Sequence, residues 1–168
     1  VDRSSGPLRG SVYVAWADES GVAASGPDIL FSRSIDGGAT WCTPPVRISD
    51  DAIHEYQWFP WMAVDPQGTI HVVFYDRRDA PGSDQFHVYY ARSTDGGISF
   101  SSNTRVTNVI SDASNEAGGW DGTFIGDYIG IAADANKMFP AWTDVRGDNM
   151  EGFFASVPTS NPCPGATA

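Results

Sequence analysis

The chain has 168 residues, of which 41% are hydrophobic and 18% are charged, so it can bury one core and lacks the composition of a disordered chain. Its formal net charge is −11, without any basic cluster. This charge repels phosphate backbones and anionic lipid surfaces, so we expect no nucleic-acid partner and no membrane insertion. The 18 glycines and 11 prolines favour many short strands over long helices.

The chain has two cysteines, Cys42 and Cys163, without the short CxxC spacing of zinc and redox sites. They are either buried free thiols or the two halves of one disulfide, and the sequence leaves both alternatives open. An acidic, tryptophan-rich chain with few lysines and one potential disulfide fits a secreted or cell-surface protein better than a cytosolic one.

The first three predicted strands lie in the N-terminal third of the chain. A β-rich run at 11–18 ends in an aspartate two residues after Trp16, and apolar runs follow at 29–31 and 45–48. Each run has the length and turn-residue borders of a short strand. If the strands of one repeat are named A to D, these three are B, C and D, and no clear A strand precedes them.

Two further repeats follow along the chain. The strands A to D of the second repeat are predicted near 58–65, 69–76, 86–92 and 103–109. The strands A to C of the third repeat are predicted near 129–134, 137–144 and 152–156. Similar segments at this spacing, with tight turns and no helical period, predict antiparallel meanders that resemble propeller blades.

We therefore expect an all-β fold, namely a partial β-propeller of four-stranded antiparallel blades. Residues 1–157 would form the blades, and residues 158–168 would form a tail rich in proline, serine and threonine. Ten strands make about two and a half blades, too few for a closed ring. We expect further blades, from a longer chain or from neighbouring copies, to complete the structure.

Two segments 59 residues apart match closely. They read FSRSIDGGATW from Phe31 to Trp41 and YARSTDGGISF from Tyr90 to Phe100. Their pattern resembles the Asp-box, or bacterial neuraminidase repeat, of sialidase-like propellers. The aspartate can accept hydrogen bonds from N–H groups of its own turn, and the final aromatic ring can plug the base of a blade. We interpret the motif residues as structural: Ser34, Asp36, Gly38, Thr40, Trp41, Ser93, Asp95, Gly97, Ser99 and Phe100.

The resemblance to sialidases extends over nearly the whole chain and implies a ring of six blades. It includes the segments WFPWMAVD at 58–65, FYDRR at 74–78 and FIGDYIG at 124–130. The activity it implies is that of an exoglycosidase that hydrolyses terminal acidic sugars. Carbohydrate is therefore the expected partner, and no cofactor is required.

Sialidases hold the substrate carboxylate with arginines, use a tyrosine paired with a glutamate as nucleophile, and use an aspartate as acid/base. The resemblance therefore implies carboxylate binding by Arg78 and Arg146, whose forked guanidinium groups suit a carboxylate. The implied catalytic residues are Tyr128, Glu55 or Glu116 as its partner, and Asp76. The indole rings of Trp58, Trp61 and Trp120 are candidates for stacking on sugar rings.

Other interpretations of the same residues remain open. Asp76 with Arg78, and Asp144 with Arg146, can equally form local ion pairs that fasten adjacent blades. The Phe/Tyr-Arg-Ile/Leu-Pro stretch that supplies the first arginine of sialidases is absent. The alternative function is therefore a non-catalytic propeller for binding, adhesion or assembly. The aspartates at 50–51, 76–79 and 144–148 are also candidate calcium ligands, although the chain has no twelve-residue calcium loop and we assign no metal residue.

Overall fold

A computed structural model describes residues 1–19, 26–53, 55–115, 124–147 and 149–159 of the chain. Within these residues the regular elements are β-strands and one short 3-10 turn, and no α-helix is present. The strands form three antiparallel sheets, which confirms that the fold is all-β.

The first sheet contains three strands in chain order, and the second contains five. The strands of the first sheet are β1 (Val12–Asp18), β2 (Asp28–Ser34) and β3 (Val46–Arg47). The strands of the second sheet are β4 (Gln57–Val64), β5 (Ile70–Asp76), β6 (Gln85–Ser93), β7 (Thr104–Arg105) and β8 (Ser111–Asp112). The last of these pairs with the start of β6 and is followed by the 3-10 turn Ala113–Asn115.

The third sheet is built around one central strand. Its strands are β9 (Gly130–Ala133), β10 (Lys137–Asp144), β11 (Glu151–Phe154) and β12 (Val157–Pro158). Both β11 and β12 pair with β10, so they are two parts of one interrupted edge strand. The strands β8 and β12 were not predicted. The other strands follow the predicted order B-C-D, A-B-C-D, A-B-C, because most of them have a local signature of β-branched and aromatic residues between turn residues.

Consecutive sheets pack front to back. The strand β5 is buried at every position because both of its faces are covered. One face of the second sheet packs on the first sheet, through Ile70, Val72 and Phe74 against Tyr13, Ile29 and Phe31. Its other face packs on the third sheet, through Val73, Tyr75 and Val88 against Met138 and Trp142.

The same arrangement leaves one face of each outer sheet uncovered. On the first sheet this is the face of Val14, which is 42% exposed. Val14 occupies the position in strand B that the buried Val72 occupies in the second repeat. On the third sheet Phe154 is 80% exposed. Both faces carry apolar side chains of the type that neighbouring sheets bury elsewhere in this structure.

Two expectations about single residues need correction. Trp41 does not plug the base of its sheet but is 40% exposed, whereas Phe100 at the equivalent position packs edge-on against Phe31 with ring centroids 5.1 Å apart. The difference arises because Phe100 lies between the first two sheets, while Trp41 lies on the uncovered face. Cys42 is exposed rather than buried. Its disulfide with Cys163 stays a prediction, because Cys163 lies outside the described residues.

Candidate functional site

The topology separates two ends of the sheets. The turns between β2 and β3, between β4 and β5, and between β6 and β7 lie at one end, which we call the turn end. The connections after β1, β5 and β10, and those that lead into β4 and β9, lie at the opposite end, which we call the loop end. Binding residues are commonly found in loops that a rigid scaffold holds in place.

At the turn end, the two similar segments form turns with the same hydrogen bonds. Asp95 accepts from the backbone N–H of Ser99 at 3.0 Å and from the Ser99 hydroxyl at 2.6 Å, and Ser93 donates to it at 2.7 Å. Burial acts to raise the pKa of Asp95, but the hydrogen bonds from Ser99 and Ser93 lower it to about 2. This carboxylate is therefore engaged in closing its own turn.

Asp36 is held in the same way in the first sheet. It accepts from the Ser34 hydroxyl at 2.7 Å and from the hydroxyl of Thr40 at 2.6 Å, and hydrogen bonds from Ser34 and then Thr40 lower its pKa. In both turns the second glycine has a positive φ, 97° at Gly38 and 83° at Gly97, which residues with a Cβ rarely adopt.

At the loop end, Arg78 is surrounded by acceptors. Its Nε donates to Asp76 Oδ2 at 2.8 Å, and its terminal nitrogens donate to Asp50 at 2.6 Å and to Asn103 at 2.7 Å. Its guanidinium carbon lies 4.3 Å above the ring of Tyr89. The guanidinium thus binds carboxylates of this chain and joins the second sheet to the loop that follows the first.

Arg146 occupies the equivalent place in the third sheet. Its Nε donates to Asp144 Oδ2 at 2.9 Å, and a terminal nitrogen lies 2.5 Å from the same oxygen. Burial acts to raise the pKa of Asp144, but the hydrogen bonds from Arg146 and Trp142 outweigh it and lower the pKa. The local ion pairs of the alternative interpretation are therefore present at both positions, and carboxylate binding by these arginines stays a prediction.

Asp76 has a geometry that argues against the acid/base role. Its side chain is fully buried, and burial raises its pKa although hydrogen bonds from Arg78 act to lower it. A general acid must come within hydrogen-bond distance of its substrate. In this conformation Asp76 is instead the ion-pair partner of Arg78.

A row of aromatic side chains follows the strand β4 at the loop end. The pairing of β4 with β5 shifts by one residue between Trp58 and Trp61, which pair with Tyr75 and Val73. Phe59, inside this bulge, has a φ of 49°. Since Tyr75 and Val73 are alternate residues on one face, the bulge places both tryptophans on that face as well.

Tyr56 continues this row beyond the strand, and Arg77 lies beside it. The guanidinium carbon of Arg77 is 5.5 Å from the ring centroid of Tyr56 and 5.4 Å from that of Trp58. Gly26 also packs directly against Tyr56. The two are so close that a Cβ on Gly26 would lie 2.5 Å from the Tyr56 ring. The sequence analysis offered Trp58 and Trp61 for stacking but gave Arg77 and Tyr56 no role, although the strand register alone places Arg77 opposite Tyr56.

Tyr128 ends the row in front of β9. It is 73% exposed, and its ring contacts that of Trp61 edge-on, with centroids 6.4 Å apart. Among the described residues no hydrogen bond joins Tyr128 to Glu55, whose backbone N–H donates to Asp51 at 2.9 Å. We refer to Tyr56, Trp58, Trp61 and Tyr128 as the aromatic row.

Two further candidates, Glu116 and Trp120, lie outside the described residues. Within the described part of the chain, no group of three or more His, Cys, Asp and Glu side chains is arranged to hold a metal ion. A search of the same residues for a helix that could cross a membrane found none. Calcium binding therefore stays a prediction without a ligand set.

Comparison with known proteins shows which fold the chain resembles but does not show its function. No protein-family model matches the chain, and no curated protein sequence matches it. Several solved structures, among them the following three, resemble it at low sequence identity. A protein of unknown function from Dyadobacter fermentans has a TM-score of 0.55 at 14% identity, covering 88% of this chain and 35% of that one.

The other two structures are carbohydrate-active proteins. An α-L-arabinofuranosidase from Fusarium graminearum has a TM-score of 0.60 at 15% identity, covering 88% of this chain and 42% of that one. The leech intramolecular trans-sialidase has a TM-score of 0.51 at 17% identity, covering 95% of this chain and 24% of that one. The chain thus has an all-β fold similar to part of β-propeller glycoside hydrolases, and it spans less than half the length of each.

Proposed function

We propose that this chain forms part of a glycan-directed exoglycosidase of the sialidase-like propeller kind, in which further blades complete a ring of six. The aromatic row carries this proposal. Tyr56 before β4, Trp61 within β4 and Tyr128 before β9 expose 48%, 46% and 73% of their surface, and such rings can bind the apolar faces of sugars. By contrast, eight aromatic side chains of the described residues are buried, among them Phe31, Tyr75 and Trp142.

Tyr128 is the proposed nucleophile. A tyrosine hydroxyl is a weak nucleophile unless a neighbouring base takes its proton. Glu55, from the loop-end segment before β4, or Glu116, which lies outside the described residues, would supply that base. The sialidase form of the proposal, hydrolysis of a terminal acidic sugar, additionally needs Arg78 or Arg146 to exchange its present carboxylate partner for that of the substrate.

A release assay with fluorogenic glycosides tests the proposal. The full-length protein is incubated with a panel that includes a sialoside and an arabinofuranoside, and the native protein is compared with Tyr128→Phe. We expect release from at least one glycoside and a loss of at least about 100-fold in kcat with this variant, because only the hydroxyl is removed. Tyr13→Phe is the matched control, since it makes the same change at the turn end.

The second candidate function is a non-catalytic propeller that binds glycans or assembles with other proteins. It is favoured by the ion pairs of Arg78 and Arg146 and by the burial of Asp76, which together leave less catalytic machinery accessible. Glycan binding without release, equal in the native protein and in Tyr128→Phe, would support this candidate and contradict the enzyme.

A further inference from the structure

We infer that the loop end binds a terminal sugar that carries no negative charge. The inference rests on the proposed function, because it assumes that the aromatic row binds a glycan. The charged side chains at the loop end determine whether a charged or an uncharged glycan can bind there.

The net charge of the chain is concentrated at the loop end. All ten Lys and Arg residues are described by the structure, and five of them lie at each end. Of the described Asp and Glu residues, thirteen lie at the loop end and five at the turn end. The turn end is therefore close to neutral, and the loop end carries the acidic excess.

The five loop-end arginines are each already bound to a carboxylate. Arg47 lies 2.7 Å from both Asp28 and Asp51, and Arg105 lies 3.5 Å from Asp79. Arg78 and Arg146 bind the buried carboxylates described above, at 2.7 Å and 2.5 Å. An anionic sugar that recruited either of these two would leave a fully buried aspartate without its partner, which is strongly unfavourable.

Arg77 is the arginine nearest the aromatic row, and its surroundings suit a positioning role. Its terminal nitrogen lies 3.1 Å from Asp84, and the rings of Tyr56 and Trp58 cover its guanidinium. Its Nε is buried and has no hydrogen-bond partner. The guanidinium fork is thus turned toward protein groups and holds the two rings in place.

An uncharged sugar meets none of these obstacles. Its hydroxyl groups can donate to the abundant carboxylates, and its ring face can stack on the exposed aromatic side chains. An anionic sugar is repelled by the excess carboxylates over a distance of about 10 Å at moderate ionic strength. Ligand charge should therefore affect both affinity and association rate, and salt should weaken the effect.

The test compares uncharged sugars with acidic ones, and the galactoside and the galacturonide differ only at C6, where the first has a hydroxymethyl group and the second a carboxylate. Binding of the full-length protein is measured by calorimetry for lactose against 3′-sialyllactose and for a galactoside and an arabinofuranoside against a galacturonide. At low salt we expect at least one uncharged glycan to bind tenfold or more tighter than its acidic counterpart. The ratio should shrink severalfold when the salt concentration is raised to screen the charges.

A charge variant supplies a second, independent readout. The side chains of Glu19, Asp127 and Glu151 are exposed at the loop end and make no ion pair among the described residues. Their replacement by Gln, Asn and Gln should improve binding of the acidic sugars severalfold and change binding of uncharged sugars less than about twofold. Lys137→Gln, a charge change at the turn end, is the control and should leave the ratio unchanged.

The possible results separate the two proposals. Tighter binding of the acidic member of each pair would overturn the inference and leave the glycan-directed function standing. A ratio that does not respond to salt or to the triple variant would also overturn it. Failure of every glycan to bind would refute the proposed function, and the inference with it.

Discussion

Arg78 of the second sheet and Asp50, in the loop after the first sheet, are joined by a 2.6 Å ion pair. The same guanidinium holds Asp76, whose side chain is fully buried, at 2.7 Å. Arg78→Met should lower the free energy of unfolding by about 3 kcal/mol, because it leaves a buried carboxylate without its partner. Denaturant titration measures this change.

The control for this prediction is Arg105→Met. Arg105 is 48% exposed, and its ion pair with Asp79 is 3.5 Å long, so its loss should cost less than about 1 kcal/mol. Equal losses for the two variants would contradict the view that the burial of Asp76 makes Arg78 important.

Gln57 is a fully buried side chain whose amide nitrogen and oxygen both lack a hydrogen-bond partner. Gln57→Leu removes this unsatisfied amide and keeps much of its volume, so we expect the free energy of unfolding to rise by about 1 kcal/mol. Gln85→Leu is the matched control, because the amide of Gln85 donates to Asp112 at 3.1 Å and its loss should not stabilise. A clear loss of stability in Gln57→Leu would show that this amide has a partner in solution, such as ordered water.

His71 links stability to pH. It is fully buried between Asp65 at 3.2 Å and the hydroxyl of Tyr90 at 2.8 Å. Burial lowers its pKa, although the hydrogen bond with Asp65 acts to raise it. As the pH falls, His71 is therefore protonated at a higher pH in the unfolded chain than in the folded one. Its contribution to the free energy of unfolding is complete above the unfolded pKa of about 6.5 and is lost as the pH falls below that value.

The measurement is the free energy of unfolding at pH 7.5 and pH 5. The native protein should be less stable at the lower pH, and His71→Gln should show a smaller decline. Part of the decline should remain, because burial also lowers the pKa of His87. An equally steep decline in the variant would assign the pH dependence to other groups.

Gly26 connects the fold to the candidate site. A Cβ at this position would lie 2.5 Å from the ring of Tyr56, whereas a Cβ on Gly130 would meet no atom within 4 Å. Gly26→Ala should therefore displace Tyr56, cost about 1–3 kcal/mol and weaken glycan binding, while Gly130→Ala should leave binding unchanged. Unaltered binding in Gly26→Ala would remove Tyr56 from the site.

The parts of the structure that follow from neighbouring residues could be predicted from the sequence. Strands such as β5 carry their own pattern of β-branched and aromatic residues, and the turns after β2, β4 and β6 are marked by their glycines. The pair Asp144–Arg146 spans two residues, so the sequence could offer it as an alternative.

Features that depend on residues distant in the chain could not be predicted. The contact of Arg78 with Asp50 and Asn103 requires the relative placement of two sheets. The bulge at Phe59 rests on a left-handed conformation that no glycine signals, and it decides which face Trp61 occupies. The sequence could therefore offer Trp61 as a stacking residue but could not predict the face on which it lies.

The front-to-back contact between sheets has a geometric consequence. Its two surfaces differ, so the contact is heterologous, and each added sheet repeats the same rotation in the same sense. Such a series closes into a ring when the rotation divides a full circle, and otherwise winds on as an open spiral. Side chains between adjacent sheets, such as Ile29 and Val73, set the spacing of those sheets and thereby help to determine the rotation from each sheet to the next.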